Sequence, residues 1–595
     1  MDSAEIRKKF INFFKEKGHV IVASSSLIPA DPTVLFTSAG MQQFIPYLSG
    51  KVESPYKRAT SIQKCFRTSD IDEVGDNSHL TFFEMLGNWS FNEYFKEEAI
   101  EWALELLINN YQLSIDKLWV TVFVGGDSMP GDKEAMGIWK ENGILKEKIK
   151  EFGSKDNFWG PVGNSGPCGP CSEIHYDRGQ EFKKGDCTID GCGPNCGCGR
   201  FVEIWNLVFM EYNKTPDGRF EKLSVKNIDT GAGFERLACV LQKSKSIFET
   251  DLFDPIIKKL EEISSLTYSG NEKAYRIIAD HVRGVCFLIS DGILPSKEDR
   301  GYVLRRILRR AIRYGNSLKI KKGFLPDVAK TIVDQYKEIY PELEKNRNNI
   351  LTVIQNEEEK FEKTIEKGLK EFDKNIDGEK LFYLYETYGF PLELSIEELH
   401  NRGIKILENE IRNKFDQALK KHQETSRAGA QKKFGGHGAG AEANFFQEDL
   451  EKIKKLHTAT HLLHATLRQI LGKHVQQAGS DINPERLRFD FSHPQKLTSE
   501  EIKKIEDLVN QKIQEKLEIS FEEMLYEDAI KCDVLAFFKE RYPQKVKVYS
   551  ASDFSREICA GPHVKNTSEL GVFKIIKEES SGANMRRIKA ILTEK

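Results

Sequence analysis

The stretch from Arg58 to Phe95 constrains the fold more than any other. Its first part, up to Arg67, is punctuated by apolar residues. A polar segment with Asp70, Asp72, Glu73, Gly75, Asp76 and Asn77 follows, and then an apolar run, LTFFEML, returns. Two runs of strand composition around a turn-rich segment predict an antiparallel pair joined by a long loop, and a long loop inside a hairpin is usually kept for function. Arg67, at the end of the first strand, carries a planar fork of donors suited to a phosphate. His79 stands at the loop exit, and Phe83 offers a flat face to a base. Taken singly, these are a surface arginine, a loop histidine and a core phenylalanine; together they suit a nucleotide bent over a sheet.

At 595 residues the chain exceeds what one hydrophobic core sustains, so several domains are expected. Hydrophobic residues make up 39% and charged ones 30%, with a net charge of -3, which excludes a uniformly basic nucleic-acid binder but not local basic faces. No apolar run is long enough to span a bilayer and the N-terminus lacks a signal-like core, so a cytoplasmic protein without membrane attachment is expected. Eleven cysteines with one tight cluster then point to metal binding over a disulfide framework.

Arg67, His79 and Phe83, the last within FFEMLGNWSF, resemble the second signature motif of class II aminoacyl-tRNA synthetases, specifically the alanyl-tRNA synthetase family, and the resemblance runs along most of the chain. It implies an α+β multidomain fold. An antiparallel class II sheet flanked by helices would occupy residues 1–250, with a Cys-rich insertion at 185–199. A helical tRNA acceptor-stem domain would follow at 251–425, then a Gly/Ala-rich linker at 426–447 and an α+β zinc editing domain at 448–595. Residues 4–17 put Ile6, Phe10, Phe13 and Phe14 on one face of an amphipathic helix.

From Asn157 the Gly- and Pro-rich NFWGPVGNSGPCGPCSEIHYD reads as a rigid loop rather than helix or strand. A tryptophan there can wall a small pocket or be plain core, and Cys168 with Cys171 could be half of a zinc knuckle. The apolar FVEIWNLVFMEYN reads as a strand in which Asn206 must find a polar partner. In NIDTGAGFERLACVL, Asp229 precedes a Gly-X-Gly turn at Gly231 and Gly233, and Arg236 enters a helix. Such a turn lets backbone approach a ligand, while Asp229 can fix an ammonium group and Arg236 can reach a phosphate or cover adenine. The resemblance makes this the third class II motif. It assigns ATP to Arg67, His79, Phe83 and Arg236, with Arg67 and Arg236 catalytic, and alanine to Trp159, Asn206, Asp229, Gly231 and Gly233. Serine and glycine differ from alanine by one small group, worth only ~1–3 kcal/mol of discrimination, so such a site needs a corrector.

Cys187, Cys192, Cys196 and Cys198 fall within CTIDGCGPNCGCGRF. Four thiolates on Gly-rich turns can close a tetrahedral zinc site; reduced loop thiols, or a site borrowing Cys168 and Cys171, are the alternatives. The expectation is a staple that takes no part in adenylation. Residues 274–422 show helical periodicity. In EDRGYVLRRILRRAIRYG a stripe of Val303, Leu304, Ile307, Leu308, Ala311 and Ile312 is flanked by Arg305, Arg306, Arg309, Arg310 and Arg313, with no acidic residue between Arg305 and Arg313. That favours phosphate contact over a merely solvated face. The resemblance assigns this region to tRNA, with Lys297 and Glu386 standing where the family carries asparagine and aspartate as readers of a G:U pair.

His457 and His461 stand one helical turn apart, with His464 on the same face as a competitor, and ICAGPHV supplies Cys559 and His563. Three imidazoles and a thiolate form a soft tetrahedral set. The pairing resembles the editing domain of alanyl- and threonyl-type synthetases, with Pro562 where the alanyl form has threonine, and Gln477 matches a family glutamine near the editing pocket. The implied activity is ATP-dependent joining of L-alanine to tRNA(Ala), with Zn2+, with Mg2+ accompanying ATP, and with hydrolysis of seryl- and glycyl-tRNA(Ala). The alternatives are a free-standing deacylase with an inert synthetase portion and a non-enzymatic tRNA binder. The chain stops soon after MRRIKAIL, which sets the expectation of a monomer.

Overall fold

The computed structural model describes all residues except 32, 127–128, 164, 184–186, 188–191, 297, 373–375, 434–446, 473, 532–533, 535–544, 560, 583–584 and 594–595. It divides into two compact units, Met1–Ile376 with Tyr383–Ile406, and Asp377–Phe382 with Leu407–Lys595. Residues 1–250 and most of 251–425 fall in the first unit, and the expected linker and rear segment fall in the second.

The first unit is built on one sheet. Its main strands are β1 (Arg58–Phe66), β2 (Phe82–Phe91), β3 (Leu118–Phe123), β4 (Ile149–Phe152), β5 (Gly166–Asp177), β6 (Phe201–Lys214) and β7 (Phe220–Gly233). They lie in the order β1-β2-β7-β6-β5-β3-β4, with the short segment Val20–Ile21 on the β1 edge. All neighbours among the labelled strands run antiparallel except β3 and β4. The predicted hairpin is β1 and β2, paired from Arg58 opposite Ser90 to Phe66 opposite Phe82, and the polar loop spans the gap. Helix α1 (Ser3–Glu16) is capped by Asp2, whose side chain accepts from the Glu5 N–H, and buries Ile6, Phe10, Phe13 and Phe14 as its periodicity requires.

Two local expectations are corrected here. GPCGPCSEIHYD is not a loop but the interior strand β5, and Phe158–Trp159 pairs with it. A Cβ on Gly169 would sit 1.9 Å from the Phe209 carbonyl oxygen, so this glycine marks a close strand-to-strand approach rather than a turn. Likewise Gly231 and Gly233 are the extended end of β7, with Gly231 opposite Asn206, and helix α2 (Phe234–Leu241) starts directly after them. A Cβ on Gly231 would meet the Met85 sulfur at 2.8 Å.

Helices α3 (Glu272–Ser290), α4 (Asp299–Ser317), α5 (Arg347–Lys370) and α6 (Leu392–Asn401) complete this unit. The predicted stripe of α4 is buried throughout. Its arginines are not a free phosphate-facing surface. Arg305 and Arg309 donate to Glu357 (3.2 and 2.8 Å), Arg310 to Glu397 (2.9 and 2.8 Å) and Arg313 to Glu398 (2.8 Å). Arg306 donates to Asp72 at 2.6 Å, and Arg310 also reaches the Ile71 carbonyl at 2.7 Å, so α4 is tied to the hairpin loop. The acidic partners come from distant segments, which a local reading of the run does not see. Lys297 lies outside the described residues, and Glu386 is exposed on the helix Gly378–Tyr388.

In the second unit, helix α7 (Glu408–Lys433) runs through the first part of the expected linker, whose remainder, 434–446, lies outside the described residues. Helix α8 (Gln447–Leu471) carries the histidines. It packs with α9 (Ser499–Gln514), opened by a Thr498/Glu501 capping box, on a sheet. The sheet's strands are β8 (Gln477–Asn483), β9 (Arg486–Ser492), β13 (Val572–Gly582) and β14 (Met585–Thr593), in the order β8-β9-β14-β13. Leu456, Leu462, Leu463, Phe489, Phe491 and Ile588 share its core. A second sheet has β10 (Ile519–Leu525), β11 (Lys545–Ala551) and β12 (Ser555–Ile558) in that order.

Candidate active site and metal centres

The front cleft encloses about 690 Å³ and is lined by Arg67, His79, Trp159, Asn206, Asp229, Gly231 and Arg236. Phe83 and Gly233 line an adjoining recess with Arg67, His79 and Arg236. Residues separated by up to 169 positions in sequence are thus gathered by the sheet, from its strands, the hairpin loop and the start of α2. Arg67 donates to the Ser38 carbonyl at 3.2 Å and lies over Phe83, its guanidinium carbon 4.9 Å from the ring centre, which leaves a cation beside a flat apolar surface. His79 is held by Asp76 (2.6 Å) and Glu73 (2.9 Å), and the Asp76 hydrogen bond raises its basicity above the ordinary histidine value.

Two groups face the cleft with polar atoms in want of a ligand. Asn206 Oδ1 is buried with no hydrogen-bond partner among the described residues, while its amide reaches the Cys171 thiol. Asp229 is buried, and its Oδ1 accepts from Trp89 Nε1 at 2.6 Å. Burial pushes its carboxyl up to about 7, against which the single Trp89 hydrogen bond is too weak. A cation placed between Asn206 and Asp229 would satisfy the first and ionise the second.

Three further cleft residues were not singled out from sequence. Glu203 accepts from Arg236 at 2.9 Å; burial opposes its charge, but Arg236, His175 and Arg67 outweigh that and hold its carboxyl low. Glu173 is pushed up by burial and pairs with the buried His175 at 3.0 Å. The signal for Glu203 was hidden by a β-bulge. Glu203 and Asn206 differ in strand parity, yet both line the cleft because the β6 register against β5 shifts between Glu203 and Trp205.

In the second unit, ligand atoms of His457, His461, Cys559 and His563 lie within 4.8 Å of one another. Cys559 Sγ is 3.3 Å from His457 Nε2, and the His563 ring centre is 4.4 and 4.6 Å from those of His457 and His461. The proton positions follow from the neighbours. Thr458 gives its hydroxyl proton to the Lys454 carbonyl (3.1 Å), so its oxygen accepts from His563 Nδ1 at 3.2 Å and the lone pair falls on Nε2. That Nε2 is buried with no hydrogen-bond partner among the described residues, so its lone pair is available to a cation. Burial, then His461 and His457, lower the basicity of His563, so it stays neutral and able to ligate. The residues therefore fit a zinc ion. His464 is not a ligand: it is fully buried and its Nδ1 meets Glu557 at 2.9 Å, while the other Glu557 oxygen is 3.4 Å from His461 Nδ1. A Cβ on Gly561 would fall 2.1 Å from His457 Cε1, so only glycine fits beside the ligand. Gln477 bonds to Ser480 at 3.1 Å and is not among the residues lining the small recess at His461 and His563.

The four thiols of Cys187, Cys192, Cys196 and Cys198 also converge within 4.8 Å, in no disulfide. Cys168 and Cys171 are buried in β5 and are not among the four that converge. Asn195, Cys196 and Gly197, in and beside this cluster, line the front cleft.

The family described as tRNA synthetases class II (A) matches residues 5–479, and the threonyl and alanyl tRNA synthetase second additional domain matches residues 546–589. The chain is 48% identical over 607 residues to an alanine–tRNA ligase of Treponema denticola, covering 99% of the chain and 98% of that protein. It is 46% identical over 606 residues to that of Borrelia hermsii, covering 99% of each, and 39% identical over 703 residues to that of Dehalococcoides mccartyi, covering 99% of the chain and 80% of that protein. No described helix is long and apolar enough to cross a membrane.

Proposed function

This chain belongs to the class II tRNA synthetases, in the alanine–tRNA ligase family, and on that premise we propose that its front cleft joins L-alanine to ATP and passes the alanyl group to tRNA(Ala). The observation that carries the reading is the pair Asn206 and Asp229. A buried carbonyl oxygen without a partner among the described residues and a carboxyl raised by burial face one cleft, as an α-ammonium group requires. Trp159 walls that end. Arg67 takes the α-phosphate and Arg236 the distal phosphates or adenine, with Phe83 beneath the base and His79 adding positive charge at the mouth. Mg2+ enters with the ATP.

Catalysis in this step is positional and electrostatic. The carboxylate of alanine attacks the α-phosphorus, pyrophosphate leaves, and fixed cations stabilise the charge that builds on the phosphoryl oxygens. No side-chain nucleophile is needed, because the attacking group is the carboxylate of alanine itself. The rear centre then removes wrong products, seryl- and glycyl-tRNA(Ala). Zinc held by His457, His461, Cys559 and His563 would supply Lewis acidity toward the ester end of the tRNA. Thr458 and Glu557 fix which nitrogen of His563 and His461 carries the proton. Acceptor-stem recognition belongs to the helical part of the first unit, and the reaction to the cytoplasm.

Alanine-dependent ATP–pyrophosphate exchange tests the front site. Exchange fastest with alanine, weaker with serine and glycine and absent with threonine supports the reading; a folded chain that exchanges with none of them moves the function to the rear site alone.

A further inference from the structure

The connection between β5 and β6 leaves the sheet at Asp177 and rejoins it at Phe201. Its ends are clamped together: Arg200 Nε donates to Asp177 Oδ1 at 2.6 Å, and the Arg178 N–H to the Arg200 carbonyl at 3.0 Å. Between them the four thiols converge, Cys192 Sγ lying 3.7 Å from Cys198 Sγ. Cys196 and Cys198 are buried although they belong to a connection with little apolar content. Cys192 and Asn195 hold left-handed backbone, with φ of 45° and 61°. Residues other than glycine keep that conformation when their surroundings over-determine it. Four sulfurs at this spacing, outside any disulfide, match a tetrahedral soft-metal site.

The connection also joins two strands that line the cleft and reaches the segment after a helix that lines it. It joins β5, which carries Glu173 and His175, to β6, which carries Glu203 and Asn206. Arg178 donates to the Ser244 carbonyl and, at 3.2 Å, to that of Lys245, just beyond α2, the helix that carries Arg236. Its tip, Asn195 to Gly197, is itself cleft wall.

We infer that Cys187, Cys192, Cys196 and Cys198 bind one zinc ion and that this ion sets the wall of the front cleft, so that metal loading and binding of the aminoacyl-adenylate are linked. Zinc replaces the thiol protons, which pass to solvent, and fixes Asn195, Cys196 and Gly197 where they meet the ligand. By reciprocity the adenylate then tightens the hold on zinc by the same factor. The linkage rests on the alanine reading; the metal site does not.

Two measurements on the full chain decide the matter: zinc content by plasma mass spectrometry, and calorimetric binding of a non-hydrolysable alanyl-adenylate analogue. The two four-ligand clusters predict two zinc ions per chain. Cys192→Ser combined with Cys196→Ser retains one, unfolds cooperatively, and binds the analogue about tenfold more weakly, a typical coupling. Asn195→Ala, which keeps all four thiols, retains both ions and weakens the analogue by about threefold, through the wall alone. Undiminished zinc in the double serine variant overturns the metal site. Equal analogue affinity in that variant and the wild type overturns the linkage. A wild-type chain that binds no analogue overturns the linkage together with the alanine reading, while the zinc count still decides the metal site.

Discussion

The front cleft and the rear histidine–cysteine centre solve the problem of buried polar groups in opposite ways. In the cleft, strands present groups that the protein leaves short of partners: Asn206 Oδ1 has none among the described residues, and Asp229 has only Trp89 to oppose its burial. In the rear centre two of the imidazoles have their second nitrogen provided for, His563 by Thr458 and His461 by Glu557, while the ligand atoms of all four residues converge. A substrate site must keep its deficit open for a molecule that comes and goes. A resident ion's site can be closed by the chain on every side.

The sharpest way to break the closed site is Gly561→Ala. The new methyl would meet the His457 ring at 2.1 Å, so the ligand must move, and zinc affinity at the rear centre is expected to fall about 100-fold in a chelator-competition titration. Glu557→Gln tests the supporting carboxylate. It keeps the shape and removes the charge facing His461 and His464, with an expected loss of about tenfold in zinc affinity or deacylation rate.

The open site responds to pH instead. The Asp229 carboxyl, raised to about 7 in the free chain, must lose its proton to hold an ammonium group. Alanine binding below that pH therefore releases a proton, and affinity falls as pH drops from 7 toward 6, by at most about tenfold per unit. Calorimetry at several pH values reads both the affinity and the proton, and a flat profile would remove Asp229 from the ammonium site. A smaller effect separates the cleft from its support. Arg310→Ala leaves Glu397 without its buried partner and is expected to cost about 3 kcal/mol of stability in urea unfolding of the first unit's transition. Its effect on the salt dependence of tRNA binding should be slight, because this guanidinium is already committed to Glu397, Ile71 and His281.

Much of this was legible in the sequence wherever chemistry and spacing coincide. Arg67, His79 and Phe83 flank one hairpin loop, His457 and His461 sit a helical turn apart, and Asp229 and Arg236 bracket the junction of β7 and α2. What was not legible depended on partners far along the chain. Glycines in β5 and β7 looked like turn formers, yet at Gly169 and Gly231 they make room for the Phe209 carbonyl and the Met85 side chain. The arginines of α4 looked unpaired because their partners Glu357, Glu397 and Glu398 lie far along the chain, as Arg309 and Glu357 show at a separation of 48 and Arg310 and Glu397 at 87. Glu203 was missed because a bulge changed its side of the strand.

Separation of the two sites in a single chain is tested most directly by measuring alanine-dependent exchange and seryl-tRNA(Ala) deacylation side by side in Asp229→Asn and Cys559→Ala. Asp229→Asn should lose about 10- to 100-fold in exchange, the worth of a charge-assisted hydrogen bond, and keep deacylation. Cys559→Ala should keep exchange and lose deacylation. If either variant loses both activities while remaining folded, or if neither loses the activity assigned to its own site, the division of labour described here is wrong.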